Sequence, residues 1–231
     1  MSHRTKQISV GKYTYNILFR DSTDESVIEE VLIDQDYKIC KKLIKEASDC
    51  IIDIGAHIGT FEFFVRSLNH SVPIIAYEAA VDNFELLTQN IKQNALQKIT
   101  AFHMAAAGTT EDVYLNISNN NHNNSLCEPY AKDAKQYKIV PGISLDDIMK
   151  ENNIEICSLL KIDCEGAEYD IFESTSPETF SKIQAIFMEY HEHFGRSHKE
   201  LIEIFEKNGF TIRHLKPSKY SKTLGIMLAV K

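Results

Sequence analysis

The sequence predicts an α/β fold: a single domain built on a doubly wound, mostly parallel twisted sheet that ends in an antiparallel hairpin. Three observations predict it. Short, unalternating apolar runs such as Cys50-Ile51-Ile52-Asp53-Ile54 and Ser158 to Asp163 read as strands buried on both faces. Segments of helical periodicity lie between such runs, and repeated strand–helix units imply parallel strands joined by right-handed crossovers. The last two runs, Thr211 to Leu215 and Leu224 to Val230, have only a loop between them, so they pair as a hairpin.

The elements follow in order. Gln7 to Phe19 alternates apolar and polar residues around Gly11-Lys12, which suits a short hairpin. Tyr37, Cys40, Leu43, Ile44 and Ala47 fall at helical spacing and predict a helix over Asp36 to Ala47. After the strand Cys50 to Ile54 come a helix from Gly59 to Leu68, a strand from Ile74 to Glu78, a helix from Asp82 to Asn94 and a strand from Ile99 to Met104. Asp112 to Ile117 reads as a strand, and Ser118 to Asn124 as an Asn-rich loop. Ser144-Leu145-Asp146-Asp147 offers a capping residue with an acid three positions later and starts a further helix. Beyond the strand Ser158 to Asp163 lie a helix from Ala167 to Ser174 and a strand from Ala185 to Tyr190. A helix from Lys199 to Asn208 then stops at Gly209.

Composition narrows the function classes. The chain has 231 residues, near the size of one large α/β domain, with 43% hydrophobic and 25% charged residues, ordinary for a globular fold. Its formal net charge of −8 is a poor basis for holding nucleic acid, which needs clustered Lys and Arg. Cys40, Cys50, Cys127, Cys157 and Cys164 form no paired metal-ligand spacing, so reduced thiols of a cytoplasmic protein are expected. The N-terminus from Met1 to Lys6 is polar and does not read as a signal peptide. No apolar run approaches the roughly 20 residues that span a bilayer. The two N-x-S sequons at Asn116 and Asn123 are then accidents of an Asn-rich stretch.

The strongest local signal is Asp53-Ile54-Gly55-Ala56-His57-Ile58-Gly59-Thr60-Phe61, which joins the first buried strand to its helix. Its glycines let backbone approach a ligand closely. The spacing is not Gly-x-Gly-x-x-Gly, and an acid stands where that dinucleotide pattern begins. A cofactor carrying an ammonium and a sulfonium tolerates that acid, whereas a pyrophosphate would be repelled. Glu78 closes the next strand, followed by Ala79, where a carboxylate can accept both hydroxyls of a ribose. Met104 and Ala105 follow the third strand on the same side.

A second cluster is acidic. Lys161-Ile162-Asp163-Cys164-Glu165-Gly166-Ala167-Glu168 places Asp163 at a strand end with Glu165 and Glu168 in the following turn. Three neighbouring carboxylates repel one another, which can raise a pKa and make one of them a base. They can also hold a divalent cation, although no ligand spacing supports a metal, and Glu165 and Glu168 equally suit an acidic helix N-terminus. In Glu189-Tyr190-His191-Glu192-His193 an extended chain puts Glu189, His191 and His193 on one face. His191 reads equally as a base or as a solvated imidazole, and His193 as a solvated one.

Together these segments resemble the FkbM family of S-adenosylmethionine-dependent methyltransferases. Asp53 to Phe61 is similar to the family's DIGANIG-type loop with His57 in place of Asn, and Leu160 to Glu168 to its KIDVEGAE segment with Cys164 in place of Val. Asn124-Ser125-Leu126, Ser144-Leu145-Asp146-Asp147 and Glu189-Tyr190-His191 stand in family order. The resemblance implies a Rossmann-like class I methyltransferase fold over residues 50–231, with residues 1–49 as a flanking hairpin and helix. It also implies O-methylation of a sugar, glycan or natural-product hydroxyl. Asp53, Gly55, Ala56, His57, Gly59, Thr60, Phe61, Glu78, Ala79, Met104, Ala105 and Asp163 would bind the cofactor, and Asp163, Glu165 and His191 would serve catalysis. The Asn116 to Tyr130 segment is the expected place of acceptor recognition.

Two other functions compete. An RNA methyltransferase on the same fold lacks an Asn-Pro-Pro-Tyr-like segment at the Asp163 strand, an appended RNA-binding motif and a basic surface. A non-catalytic module that binds the nucleoside and a protein partner would keep the loop and Glu78 without turnover.

Overall fold

A parallel strand buried on both faces needs β-branched, apolar residues at consecutive positions, and the computed structural model places such strands at the centre of the molecule. It describes residues 3–34, 36–117, 124–126, 136–193, 195–219 and 221–231. A hairpin, β1 (Arg4–Val10) and β2 (Tyr13–Phe19), comes first. It leads into α1 (Ser22–Ile28), a π turn over Glu29–Ile33, a 3-10 turn over Asp36–Cys40, and α2 (Lys41–Glu46). The alternating units are then β3 (Cys50–Ile54), α3 (Thr60–Leu68), β4 (Ile74–Glu78), α4 (Val81–Gln93) and β5 (Ile99–His103). Next come β6 (Ala105–Ala106), β7 (Asp112–Ile117), β8 (Gln136–Ile143) and α5 (Leu145–Glu151). The chain closes with β9 (Cys157–Ile162), α6 (Glu168–Ser174), α7 (Pro177–Lys182), β10 (Ala185–His191), α8 (His198–Lys207), β11 (Thr211–Pro217) and β12 (Leu224–Val230).

The central sheet has seven strands in the order β11-β12-β10-β9-β3-β4-β5. Strand β12 runs antiparallel between β10 and β11, while the pairs among β10, β9, β3, β4 and β5 are parallel. This is the expected Rossmann-like class I methyltransferase architecture with its antiparallel C-terminal hairpin. The order reverses at β3 and β9, since β4 and β5 follow β3 on one side while β10 follows β9 on the other. That reversal opens a crevice at the carboxyl ends of the strands.

The sequence did not announce every element. Strand β8, which pairs with both β6 and β7, was hidden by Pro141 and Gly142, residues that usually mark turns. Helix α7 was missed although Ser176 caps it and Pro177 occupies its first turn. The segment over Ser22–Ile33 lacks clean helical periodicity because an α-helical turn passes into a π turn. Its start is capped by Asp21, whose side chain accepts from the backbone of Thr23 and Asp24. The predicted helix over Asp36 to Ala47 is a 3-10 turn followed by α2.

Described residues of the N-terminal segment are packed into the same apolar interior as the sheet. Ile8, Tyr15, Ile17, Ile28 and Ile44 share one buried cluster with Ile51, Phe61, Phe64 and Phe187. Polar anchors add to it. Arg20 donates to Asp24 through Nε at 2.8 Å and Nη2 at 2.7 Å, and the same guanidinium reaches Asn83 of α4 at 2.6 Å. Burial works against the Asp24 charge, yet the Arg20 fork and His57 hold its carboxyl far below the usual range.

An Asp24→Asn substitution leaves the buried Arg20 charge without its partner and should cost about 3 kcal/mol of stability in urea denaturation. Because the folded-state pKa is depressed, this contribution is present above about pH 4 and fades as pH falls further. The gap between wild type and variant should therefore narrow in acid; a gap independent of pH would show that the pair is not what anchors α1.

Candidate active site

The floor of the crevice is set by a buried ion pair. Lys161 of β9 lies beside Asp53 of β3 in register, and its Nζ is 2.9 Å from Asp53 Oδ1. Asp53 is wholly buried and Lys161 nearly so. The ammonium also donates to the Gly55 carbonyl at 2.8 Å, which ties the turn after β3 to the neighbouring strand. Burial opposes the Lys161 charge, but Asp53 overrides it and holds the ammonium well above its usual range. Glu62, fully buried in the first turn of α3, is pushed far upward by burial and then by Asp53. The acid at the start of the loop thus faces inward to Lys161. The sequence argument that it greets a cationic cofactor is corrected, because no part of Asp53 is exposed.

Gly55 makes the turn possible. Its φ is +79°, and a Cβ there would lie 1.8 Å from the Asp163 carbonyl oxygen. The β3 turn therefore packs directly on the backbone that follows β9. Beyond it His57 adopts φ +52°, a left-handed position that Asn or His takes more readily than branched residues.

These constraints leave a cavity of about 640 Å³ at the strand ends. Gly55, His57, Glu78, Ala79, Met104 and Ala105 line one part of it, as the sequence anticipated for a cofactor. Ala56, Gly59, Thr60 and Phe61 do not line it; Phe61 packs into the interior beside Tyr37, with ring centroids 5.3 Å apart. The Glu78 carboxylate accepts from the backbone of His57 at 2.8 Å and of Ala80 at 2.8 Å, and from Asn83 Nδ2 at 3.2 Å. Oε1 takes two of these donors and Oε2 one, so Oε2 keeps further acceptor capacity. His57 Nε2 lies 3.3 Å from Asp24, so the flanking segment touches the loop directly. Val27, Glu30 and Tyr37 of that segment also line the cavity.

The other end of the cavity is acidic. Asp163, Cys164, Glu165 and Glu189 line it. His191 is behind them, 2% exposed, with Nδ1 2.8 Å from Glu168 Oε1 and Nε2 3.4 Å from Glu165 Oε2. Burial works against the imidazole's charge, but Glu168 more than compensates and lifts it to about 10. Glu168, wholly buried, is held below its usual range by His191 despite that burial. Burial pushes Glu165 up to about 8 and Glu189 up to about 7, with Asp163 adding repulsion to both.

The structure brings Asp163, Glu165 and His191 together as the sequence expected, and adds Glu189. Its signal was present, since Glu189 shares a strand face with His191 two residues on. Both ring nitrogens of His191 face carboxylates, and a charged imidazole has no lone pair for an incoming proton. His193 is not the solvated imidazole expected: its Nε2 meets the Gly166 carbonyl at 2.9 Å and its ring packs edge-on against Tyr169. Cys40, Cys50 and Cys157 are buried free thiols, while Cys127 lies outside the described residues. Most of the Asn116 to Tyr130 segment, with Asn123 of the second sequon, lies outside them too. Its described part, Asn124 to Leu126, borders the cavity through Asn124 and Leu126. No described helix is long and apolar enough to cross a membrane.

Comparison with known proteins agrees with this architecture. A family model described as a methyltransferase FkbM domain matches residues 53–212. The chain is 24% identical over 215 residues to methyltransferase sdnD of Sordaria araneosa, covering 80% of this chain and 82% of that protein. It is 23% identical over 191 residues to the 31-O-demethyl-FK506 methyltransferase FkbM of Streptomyces tacrolimicus, covering 71% and 73%. In fold it is similar to the METTL16 MTase domain, with a TM-score of 0.54 at 16% identity, over 87% of this chain and 68% of that one.

Glu78 satisfies three donors of the protein itself, so removing it costs more than a ligand contact. Replacement by Ala leaves the His57 and Ala80 amides unpaired, and Glu78→Ala should lose about 1–3 kcal/mol in urea denaturation without any ligand. A variant as stable as wild type would show that the carboxylate does not hold the loop.

Proposed function

The chain belongs to the FkbM family of methyltransferases, and from that membership we propose that it moves the methyl group of S-adenosylmethionine to a hydroxyl oxygen of a small molecule, such as a sugar, a glycan or a natural product. The observation that carries this reading is the division of one cavity into two ends. Gly55, His57 and Glu78 form a nucleoside-sized end with a carboxylate suited to a ribose, while Asp163, Glu165 and Glu189 gather negative charge at the other. A sulfonium is attracted to that charge and a pyrophosphate is repelled. The relative from Streptomyces tacrolimicus is named for a hydroxyl oxygen of a natural product, which supports the oxygen as the acceptor atom.

In this reading the residues of the chain mainly align donor and acceptor, because the sulfonium already carries a reactive methyl group. Glu78 would take the ribose hydroxyls, Ala79, Met104 and Ala105 would flank the adenosine, and Asp163 would face the methionine portion. Asp53, Ala56, Gly59, Thr60 and Phe61 act beneath these contacts by holding the loop. When bound, S-adenosylmethionine would supply the reactive methyl group, and a carboxylate of the acidic end, Asp163 or Glu165, would take the proton of the acceptor hydroxyl. The charged His191, gripped by Glu168, positions Glu165 rather than taking the proton. The acidic overall charge, −8, favours a small acceptor over RNA.

Calorimetry with S-adenosylmethionine, its demethylated product and NAD tests the cofactor. Saturable binding of the first two and none of the third is expected; the reverse would overturn the assignment. Single-turnover methyl transfer across a panel of sugars and natural products then tests the reaction. Asp163→Asn should slow it by about 100- to 10,000-fold. Cofactor binding with no transfer to any panel member would favour the non-catalytic module.

A further inference from the structure

We propose that Asp163, Glu189 and His191 form a binding site for one divalent first-row metal ion, of the Mn2+ or Zn2+ kind, at the acidic end of the cavity. One ligand atom from each of the three lies within 4.8 Å of the others. Three donors about 2.1 Å from one ion stand about 3.0–3.6 Å apart, so the three side chains must close by at most about 1.2–1.8 Å to complete the site. The ligands stand on rigid elements. Glu189 and His191 are alternate residues of β10, and β10 pairs in parallel register with β9, Met188 opposite Ile162, immediately before Asp163.

The surroundings of His191 point to the same use. Glu168 grips Nδ1 at 2.8 Å and is itself fixed by the Cys164 and Gly166 amides at 3.4 and 3.3 Å. A carboxylate on one imidazole nitrogen, with the other nitrogen turned to further acids, is the arrangement that orients a metal-binding histidine. Charge supplies an independent argument. Asp163, Glu165, Glu168 and Glu189 surround one imidazole, and the nearby cation Lys161 is engaged with Asp53. Glu168 Oε2 is fully buried and accepts no hydrogen bond among the described residues. A buried carboxylate in that condition gains from added positive charge beside it.

Two carboxylates and one imidazole suit Mn2+, Fe2+ or Zn2+ rather than a thiophilic ion. Asp163 and Glu189 border the cavity, so the ion would keep open positions toward it. The proposal stands whether or not the acceptor is a hydroxyl.

The full-length protein, stripped with chelator, is titrated with Mn2+ while electron paramagnetic resonance counts the free aquo ion, and with Co2+ while visible absorption reports the ligand field. One ion per chain is expected, with a Kd near or below about 10 μM. Glu189→Gln, His191→Gln and Glu168→Gln should each weaken binding by about 10- to 100-fold, the last through orientation alone. Glu168 is fully buried and its variant can fail to fold, so Glu189→Gln, on the cavity wall, decides the matter. A wild-type protein that takes up neither ion below about 1 mM overturns the site. So does a folded Glu189→Gln variant that binds as tightly as wild type. Metal uptake together with no binding of S-adenosylmethionine would retain the site and remove the methyl-transfer reading.

Discussion

Everything at the functional end of the molecule depends on the buried contact between Lys161 and Asp53. The two residues face each other in register on β3 and β9, the strands between which the sheet order reverses. An ion pair in that place is costly to desolvate and is tolerable only when its remaining donors and acceptors are used. Lys161 uses them on the Gly55 and Ile54 carbonyls at 2.8 and 3.4 Å, fixing the direction in which the chain leaves β3. Gly55 must then pass over the Asp163 carbonyl, which only a residue without Cβ can do. His57 is delivered at a left-handed φ with its amide aimed at Glu78. Glu62 lies beside the pair, its carboxyl pushed well upward by burial and then by Asp53.

The same arrangement explains why the cavity has two electrostatic ends. Around Glu78 the charge is spread over three donors of the protein, and that end is locally satisfied. Around Asp163 the carboxylates outnumber the imidazole that faces them, and burial raises two of them rather than pairing them. A ligand that is neutral at its nucleoside and cationic at its reactive atom matches this polarity. The mismatch for a dinucleotide follows from the same distribution, because its pyrophosphate would lie near the carboxylates without a basic residue to meet it.

The sheet was legible because buried parallel strands leave a signal within a handful of residues. Cys50 to Ile54 and Ile74 to Glu78 were bounded to the residue, since Gly55 and the turn after Glu78 end them sharply. What escaped notice depended on distant partners. Strand β8 exists because β6 and β7 flank it, in spite of Pro141. The site followed the same rule. Residue types and order pointed to Gly55, Glu78 and Asp163, whereas Lys161 as partner of Asp53, and Glu168 as partner of His191, are facts of strand register and burial. Asp53 was recognised as important and given the wrong neighbour, because sequence spacing does not say to which side of a strand a carboxylate turns. Glu189 was placed on the face of His191 by the alternation of β10, but nothing in the sequence showed that this face meets Asp163 at the cavity.

The flanking segment gains a role from this geometry. Residues 1–49 read as an appendage in the sequence, separated from the recognised core by chain position alone. In the folded chain Asp24 is shared between Arg20, which reaches on to Asn83 of α4, and His57, which stands in the loop. An Asn at position 57, the residue usual in the family, would satisfy the left-handed φ but has too short a side chain to span the same gap. The His therefore couples the conformation of the loop to the docking of α1. Val27, Glu30 and Tyr37 of the flanking segment complete the cavity wall. A chain cut before β3 would keep the family's motifs and lose both that wall and the apolar cover over Phe61 and Phe64. The recognised motifs are thus a subset of what the site requires, and the flanking segment supplies the remainder.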